Sequence, residues 1–154
     1  MPMRKLKEFL DATGVDYIST IHQPSYTAQE TAQTCHIPGM NLAKTVMVHL
    51  NGRLAMTVMP AHYQVDIYKL REFTHAWSLR VARENEFSGA FPECEVGAMP
   101  PFGNLFGMDV FAEKELSHDI NISFNSGTHT EVITMPFSTW STLVHPFLGD
   151  FHRI

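Results

Sequence analysis

The sequence predicts an α+β fold in which helices pack against a mixed, mostly antiparallel β-sheet. The clearest observation is a hairpin: two β-rich runs, 44–50 and 54–59, flank Asn51-Gly52, and an Asn-Gly turn between such runs is the strongest short-range hairpin signal. Helical and strand-like segments are interspersed along the rest of the chain, which is typical of α+β architecture. The 154 residues, 44% hydrophobic and 18% charged, suffice for a sizeable core. We therefore expect residues 1–154 to form a single domain.

The chain before the hairpin is predicted to contain two helices and a strand. Residues 3–13 fit a helix because apolar side chains recur at i, i+3, i+4 spacing and Gly14 can end it. Residues 15–21 fit a strand, which the break at His22-Gln23-Pro24 ends.

Thr27 is predicted to cap the second helix, with Glu30 as its capping-box partner. This helix should run to about Cys35, before Ile37-Pro38-Gly39. Residues 92–107 are predicted to form a loop, because they hold too many glycines and prolines for a regular element. Further helices are expected over 66–73, 83–91 and 137–144, and further strands over 77–81, 109–112, 121–124 and 131–134.

Composition and charge limit the function classes. The formal net charge of −5 has the wrong sign for a protein that grips long stretches of nucleic-acid backbone, although it allows contact with the end of an RNA. No apolar run approaches the roughly 18 residues that cross a bilayer, and no signal-peptide core follows the basic N-terminus. We therefore expect a cytoplasmic protein without a membrane partner. Cys35 and Cys94 are expected to be free thiols.

Familiar metal and cofactor motifs are missing from the sequence. The nine histidines are scattered, and neither His-Glu-x-x-His nor Cys-x-x-Cys occurs. The glycine patterns of phosphate loops and dinucleotide sites are missing as well, as is the Gly-x-Ser-x-Gly nucleophile elbow. We therefore expect neither a metal nor a cofactor.

Two features could carry chemistry without those motifs. Lys44 opens an apolar strand, where it is either a surface lysine or a cation at the mouth of a pocket. The loop 97–103 combines stiff prolines with permissive glycines, and it is either a plain connection or a rigid cradle of backbone amides. His129 follows the turn Ser126-Gly127, and His22 precedes Pro24; either histidine can be structural or functional.

These pieces together resemble the YbaK/prolyl-tRNA synthetase-associated domain family. The resemblance rests on order and spacing across roughly residues 15–145. The motifs that carry it are His22-Gln23-Pro24, the helix from Thr27 to Ala32, Leu42-Ala43-Lys44-Thr45-Val46, the Asn51-Gly52 hairpin, Gly97-Ala98-Met99-Pro100-Pro101 with Phe102-Gly103, Phe124-Asn125-Ser126-Gly127-Thr128-His129 and Ile133-Thr134-Met135.

The resemblance implies a barrel-like editing-domain fold and hydrolysis of the ester bond in mischarged aminoacyl-tRNA. Water would attack the ester, and the substrate's own hydroxyl or thiol would assist. Lys44, Gly97 and Ala98 would be catalytic. The substrate-binding set would be His22, Thr45, Met99, Pro100, Pro101, Phe102, Gly103, Gly127 and His129. The partner would be the tRNA acceptor end, with an aminoacyl-tRNA synthetase as an optional second partner.

The edited amino acid stays open at this point. Thr45 after the lysine resembles editors of cysteinyl-tRNA(Pro), whereas Gly127-Thr128-His129 resembles editors of alanyl-tRNA(Pro). A basic rim near Lys44 is a further hypothesis, formed by Lys69, Arg71, Arg80 and Arg83. The competing interpretations are a noncatalytic module that binds RNA or a synthetase, a hydrolase of small esters or thioesters, and a metal-dependent enzyme.

Overall fold

Short local signals set the helices of this protein. The computed structural model describes residues 3–35, 37 and 41–154, so the predicted stop at Pro38-Gly39 lies outside the described residues. Thr27 caps α2 as predicted, because its hydroxyl accepts a hydrogen bond from the backbone N–H of Glu30 at 3.1 Å. The helices within the described ranges are α1 (Arg4–Thr13), α2 (Ala28–Thr34), α3 (Ile67–Thr74), α4 (Glu84–Phe87) and α5 (Phe137–Val144).

The strands occupy every segment that the sequence predicted as a strand, together with three that it did not. They are β1 (Ile18–Ile21), β2 (Leu42–Leu50), β3 (Arg53–Pro60), β4 (Gln64–Val65), β5 (Leu79–Val81), β6 (Val110–Glu113), β7 (Asn121–Asn125), β8 (Glu131–Pro136), β9 (Phe147–Gly149) and β10 (His152–Arg153). The unpredicted strands β4, β9 and β10 have only two or three residues each, too few for a side-chain pattern to reveal.

The main sheet runs in the order β1-β8-β7-β2-β3-β6-β9, an open path, with β5 paired to the far end of β2. A separate two-stranded sheet joins β4 to β10. Among the described residues five strand pairs are antiparallel and three are parallel. The predicted mixed, mostly antiparallel sheet of an α+β fold is therefore confirmed.

Both faces of the main sheet are covered by apolar clusters. Alternate residues of β2 and β3 face a main core, which α1 and α5 also enter with residues such as Leu6 and Trp140. The opposite face carries two smaller clusters. The α3 cluster consists of Val48, Ala55, Met59, Tyr63, Leu70, Phe111 and Phe151, and the α2 cluster consists of Ala32, Leu42, Ala61 and Val132.

One predicted helix is shorter in the structure, and the C-terminal segment, for which no element was predicted, forms strands. The helix expected over 83–91 is a single turn, α4, followed by a 3-10 turn at Ser88–Ala90. The C-terminal tail, which showed no strand pattern, adds β9 to the sheet edge and β10 to β4. Its Phe151 is fully buried in the α3 cluster, so long-range packing orders a segment that has little structural signal of its own. Among the described helices, none is long and apolar enough to cross a lipid bilayer.

Candidate active site

Lys44 lies on the sheet face opposite the main core, between the two smaller clusters. Its neighbour across β3 is Met59 of the α3 cluster, and two residues earlier on β2 stands Leu42 of the α2 cluster. The side chain is half-buried, and burial lowers the pKa of the Lys44 ammonium from its ordinary value. Within residues 3–35, 37 and 41–154 no hydrogen bond or ion pair engages this ammonium. A partly desolvated cation without a partner favours an anionic or carbonyl ligand.

Asn125 occupies the position next to Lys44 on the neighbouring strand. The parallel ladder pairs Leu42 with Ser123 and Ala43 with Phe124, so Lys44 and Asn125 are the next residues of their strands beyond the last pair. Residues paired in this way point to the same face. The Asn125 side chain is therefore on the Lys44 face, at the end of β7.

The turn that follows Asn125 is held against the segment before the candidate loop. The backbone N–H of Glu95 donates to the carbonyl of Gly127 at 2.8 Å, and the N–H of Met3 donates to the carbonyl of Ser126 at 2.9 Å. Gly127 has φ +108°, and a Cβ there would lie 2.8 Å from the Cβ of Met3. Only glycine fits, because the backbone conformation and the space both exclude a side chain.

His129 joins this turn to the start of the predicted loop. Its Nε2 lies 2.7 Å from the carbonyl oxygen of Val96, and its backbone N–H donates to the Glu95 carboxylate at 3.1 Å. Gly97 has φ +82°, and a Cβ there would lie 3.6 Å from the His129 ring. The ring of Tyr26 covers His129 with centroids 5.0 Å apart. The structure thus brings together His129 and Gly97, two of the residues predicted for the site.

His22 and the segment leading into α2 form the adjoining wall. The N–H of His22 donates to the carbonyl of Thr130 at 2.8 Å, and the N–H of Ser25 donates to the carbonyl of His129 at 3.1 Å. The buried hydroxyls of Ser25 and Thr31 lie 2.7 Å apart. The predicted site residues His22 and His129 therefore belong to one polar region, which also includes Thr31 of α2.

The second half of the predicted loop belongs to the main core. Trp140 donates its Nε1–H to the carbonyl of Pro101 at 3.1 Å, where both groups are buried. Phe102 is fully buried against the rings of Phe9 and Phe124. A Cβ on Gly103 would lie 2.5 Å from the carbonyl oxygen of Met108. The packing of Pro101, Phe102 and Gly103 therefore supports the loop, and their contact with a substrate stays a prediction.

Met99 and Pro100 are also buried between these segments, and Met99 packs in the main core. The N–H of Ala98 donates to the carbonyl of Glu95 at 3.1 Å, so this amide closes a turn and is not available to a ligand. The N–H of Gly97 takes part in no hydrogen bond among the described residues. The N–H of Met99 takes part in none among the same residues either, but Met99 is buried whereas Gly97 is exposed, so Gly97 is the amide of this loop that best fits a ligand-binding role.

Thr45 and Arg80, a member of the expected basic rim, lie apart from Lys44. Thr45 stands two residues from both Ala43 and Met47, which face the main core. Residues two apart in a strand share a face, so Thr45 also points to the main-core face, away from Lys44. Arg80 pairs opposite His49, five residues from Lys44 along β2, which is about 16 Å. Arg80 also forms an ion pair with Glu86 at 2.6 Å. Strand alternation and register thus place Thr45 and Arg80 away from Lys44, whereas a rim formed by Lys69, Arg71 and Arg83 stays a prediction.

A carboxylate-histidine group lies in the α3 cluster and was not singled out from the sequence. The Glu113 carboxylate is fully buried, accepts the N–H of Phe151 at 2.6 Å and lies 2.7 Å from Nδ1 of His152. Potential ligand atoms of Glu113, Asp150 and His152 lie within 4.8 Å of one another, a donor set that could hold a divalent cation. In the structure the same atoms tie the C-terminal segment to β6.

Both cysteines are free thiols, as expected. Burial raises the pKa of the Cys94 thiol to about 11, with a further contribution from the nearby Glu93 carboxylate. Burial also raises the pKa of Cys35. A raised pKa disfavours the nucleophilic thiolate, so neither cysteine has the character of a catalytic nucleophile.

Three site residues, Asn125, Ser25 and Glu95, were not predicted. Asn125 directly precedes the Ser126-Gly127 turn, so its place in the motif was a signal that could have found it. Ser25 and Glu95 lie in irregular segments, and only their hydrogen bonds to the backbone around His129 reveal them.

Comparison with protein families gives a match over most of the chain. A family model described as an aminoacyl-tRNA editing domain matches residues 22–140. This range contains Lys44, the whole Gly97 loop and His129. No curated protein sequence matches the chain.

Solved structures share the whole fold at low sequence identity. The hypothetical protein APE2540 is 19% identical with a TM-score of 0.86, over 97% of this chain and 100% of its own. A protein described as a candidate trans-editing enzyme for prolyl-tRNA synthetase is 16% identical with a TM-score of 0.83, over 99% and 97%. A candidate signal transduction protein from Marinobacter aquaeolei VT8 is 12% identical with a TM-score of 0.76, over 97% of this chain and 30% of that one.

Proposed function

Because the chain belongs to the aminoacyl-tRNA editing domain family, we propose that it hydrolyses the ester bond of mischarged aminoacyl-tRNA as a free-standing, single-domain editing factor of the cytoplasm. The substrates are alanyl- or cysteinyl-tRNA(Pro). One of the structural relatives is described as a candidate trans-editing enzyme for prolyl-tRNA synthetase, which supports this substrate class. The partner is the acceptor end of the tRNA, and such a short contact suits a chain with a net charge of −5.

The half-buried Lys44 ammonium is the observation that carries this proposal. It has no hydrogen-bond or charge partner within the described ranges, and it lies on the face where the Asn125 end of β7 leads into the His129 turn. In a partly desolvated position a cation stabilises a developing oxyanion more strongly than in water. Lys44 therefore polarises the ester carbonyl and holds the tetrahedral intermediate.

The Gly97 amide serves as a second donor to the same acyl group. Its N–H is unused in the described part of the chain, and the His129 contact to Val96 holds the loop in place. An ester is already activated, so positioning and oxyanion stabilisation suffice, and water can attack without a protein nucleophile. His22 and His129 shape the polar wall in which the attacking water and the acyl group are held.

The test is a panel of aminoacyl-tRNAs, including alanyl- and cysteinyl-tRNA(Pro), with release of free amino acid as the readout. Lys44→Ala is expected to slow release by about 100-fold or more, the usual effect of removing an oxyanion donor. Lys114→Ala, which removes an exposed lysine, is the matched control and should keep the wild-type rate. Equal rates for wild type and Lys44→Ala would remove Lys44 from the mechanism.

The same panel separates the alternatives. Binding of tRNA without release of any amino acid would replace the proposal by a noncatalytic module. Equal hydrolysis of small esters and aminoacyl-tRNA would point to a general esterase. Loss of activity in the presence of a chelator would point to a metal-dependent enzyme.

A further inference from the structure

One buried acceptor at the candidate site has no donor within the part of the chain that the structure describes. Asn125 is 9% exposed, and its side-chain oxygen Oδ1 is buried without a hydrogen-bond partner among the described residues. Buried amide oxygens are almost always satisfied, because leaving one without a donor lowers stability. Next to a candidate active site, such an oxygen is in a position to accept a hydrogen bond from a ligand.

The position of Asn125 connects this oxygen to the proposed chemistry. Continuing the β7–β2 ladder by one step places Asn125 beside Lys44, on the same face of the sheet. On its other side Asn125 pairs with Val132 of the α2 cluster. The amide therefore stands between an apolar wall and a cation, where it can form a hydrogen bond with one side of a bound acyl group.

A second buried acceptor without a partner among the described residues belongs to His22, whose backbone N–H binds Thr130 next to the His129 turn. His22 Nδ1 is 2.6 Å from the carbonyl oxygen of Gln23, so Nδ1 is the donor of this contact, and Nε2 is an acceptor in the neutral form of the ring. Nε2 is buried and has no partner in the described segments. Two acceptors and one cation together complement a ligand that has both an acceptor and several donors.

An aminoacyl ester has this combination of groups. Its carbonyl oxygen is an acceptor, and its α-ammonium and ribose hydroxyls are donors. We propose that Asn125 accepts a hydrogen bond from the α-ammonium group of the substrate and so selects esters with a free α-amino group. This inference rests on the proposed deacylase function. The amino group is bonded to the carbon next to the carbonyl, so a carbonyl held at Lys44 brings it to the neighbouring strand, beside the Asn125 amide.

The test compares the aminoacyl-tRNA that the panel identifies with its des-amino counterpart, for example alanyl- with propionyl-tRNA. The two differ only at the α-amino group, and each rate is divided by that of spontaneous hydrolysis. Wild type should prefer the amino form by about 10- to 100-fold, the range expected for a hydrogen bond to a charged group. Asn125→Leu has nearly the same volume without the acceptor, and it should reduce this preference to near one by slowing only the amino form.

A stability measurement separates recognition from a structural role. Asn125→Leu replaces an unsatisfied polar group by an apolar one, so its urea midpoint should equal or exceed that of wild type. Equal slowing of both esters by Asn125→Leu, or no preference in the wild type, would overturn the inference. The wild-type comparison decides even if the variant does not fold. Absence of hydrolysis of any aminoacyl-tRNA by the wild type would instead refute the proposed function itself.

Discussion

The turn at Gly127 holds the candidate site against the N-terminal segment, and Gly127→Ala tests this arrangement. The added Cβ would lie 2.8 Å from the Cβ of Met3 and 3.5 Å from Sγ of Cys94. Met3 cannot simply move away, because its N–H donates to the neighbouring carbonyl of Ser126 at 2.9 Å. The substitution therefore combines an unfavourable φ of +108° with overpacking.

The cost of Gly127→Ala can be separated into these two parts by comparison with other glycines. Gly14 has φ +72° and open space around it, and Gly97 has φ +82° with only an ordinary contact at 3.6 Å. Alanine at either should lower the free energy of unfolding by about 1–2 kcal/mol, the cost of a left-handed conformation. Overpacking adds about 1–3 kcal/mol, so Gly127→Ala should cost about 2–5 kcal/mol.

Urea denaturation followed by tryptophan fluorescence measures the three variants under the same conditions, and aminoacyl-tRNA deacylation measures the effect on the site. Gly127→Ala should be the least stable, and Gly14→Ala should keep wild-type activity because it only changes the end of α1. Gly97→Ala should lose activity, with a loss of stability similar to that of Gly14→Ala. If Gly127→Ala were no less stable than Gly14→Ala, the packing of Met3 on this turn would not be as described.

Three further predictions concern buried groups. Trp140→Phe removes the donor to the buried carbonyl of Pro101 and should lower the free energy of unfolding by about 1–3 kcal/mol. Urea denaturation measures this loss, and an unchanged midpoint would contradict the prediction. Cys94, with a pKa of about 11, should react with iodoacetamide at pH 8 at least about 100-fold more slowly than free cysteine, with mass spectrometry as the readout; fast labelling of folded protein would contradict it. Burial lowers the pKa of Lys44 below the 10.5 of an unfolded chain, so its ammonium opposes folding once the pH falls through the folded pKa. Lys44→Met should therefore be more stable than wild type at pH 7. Wild-type deacylation, corrected for spontaneous hydrolysis, should decline as the pH rises toward 10.5. Lys44→Arg should retain its activity to higher pH, because a guanidinium stays charged there.

Local signals in the sequence determined much of this fold. The β2–β3 hairpin depends on the Asn51-Gly52 turn and on neighbouring β-rich runs, and α2 depends on the Thr27 cap, so each can be recognised within a few residues. The sequence also identified Lys44, Gly97 and His129 as candidates. It did so through residue types and order, which are properties of the chain itself.

Only the tertiary structure decided which of these candidates share a site. The loop 97–103 is continuous in sequence, yet Gly97 contacts the His129 turn whereas Phe102 is buried in the main core. Thr45 follows Lys44 directly and faces the other side of the sheet. Asn125 lies near Lys44 because β2 and β7, some 80 residues apart in sequence, pair in parallel. Such pairings depend on how apolar faces are buried against one another over the whole chain, and no short segment contains that information.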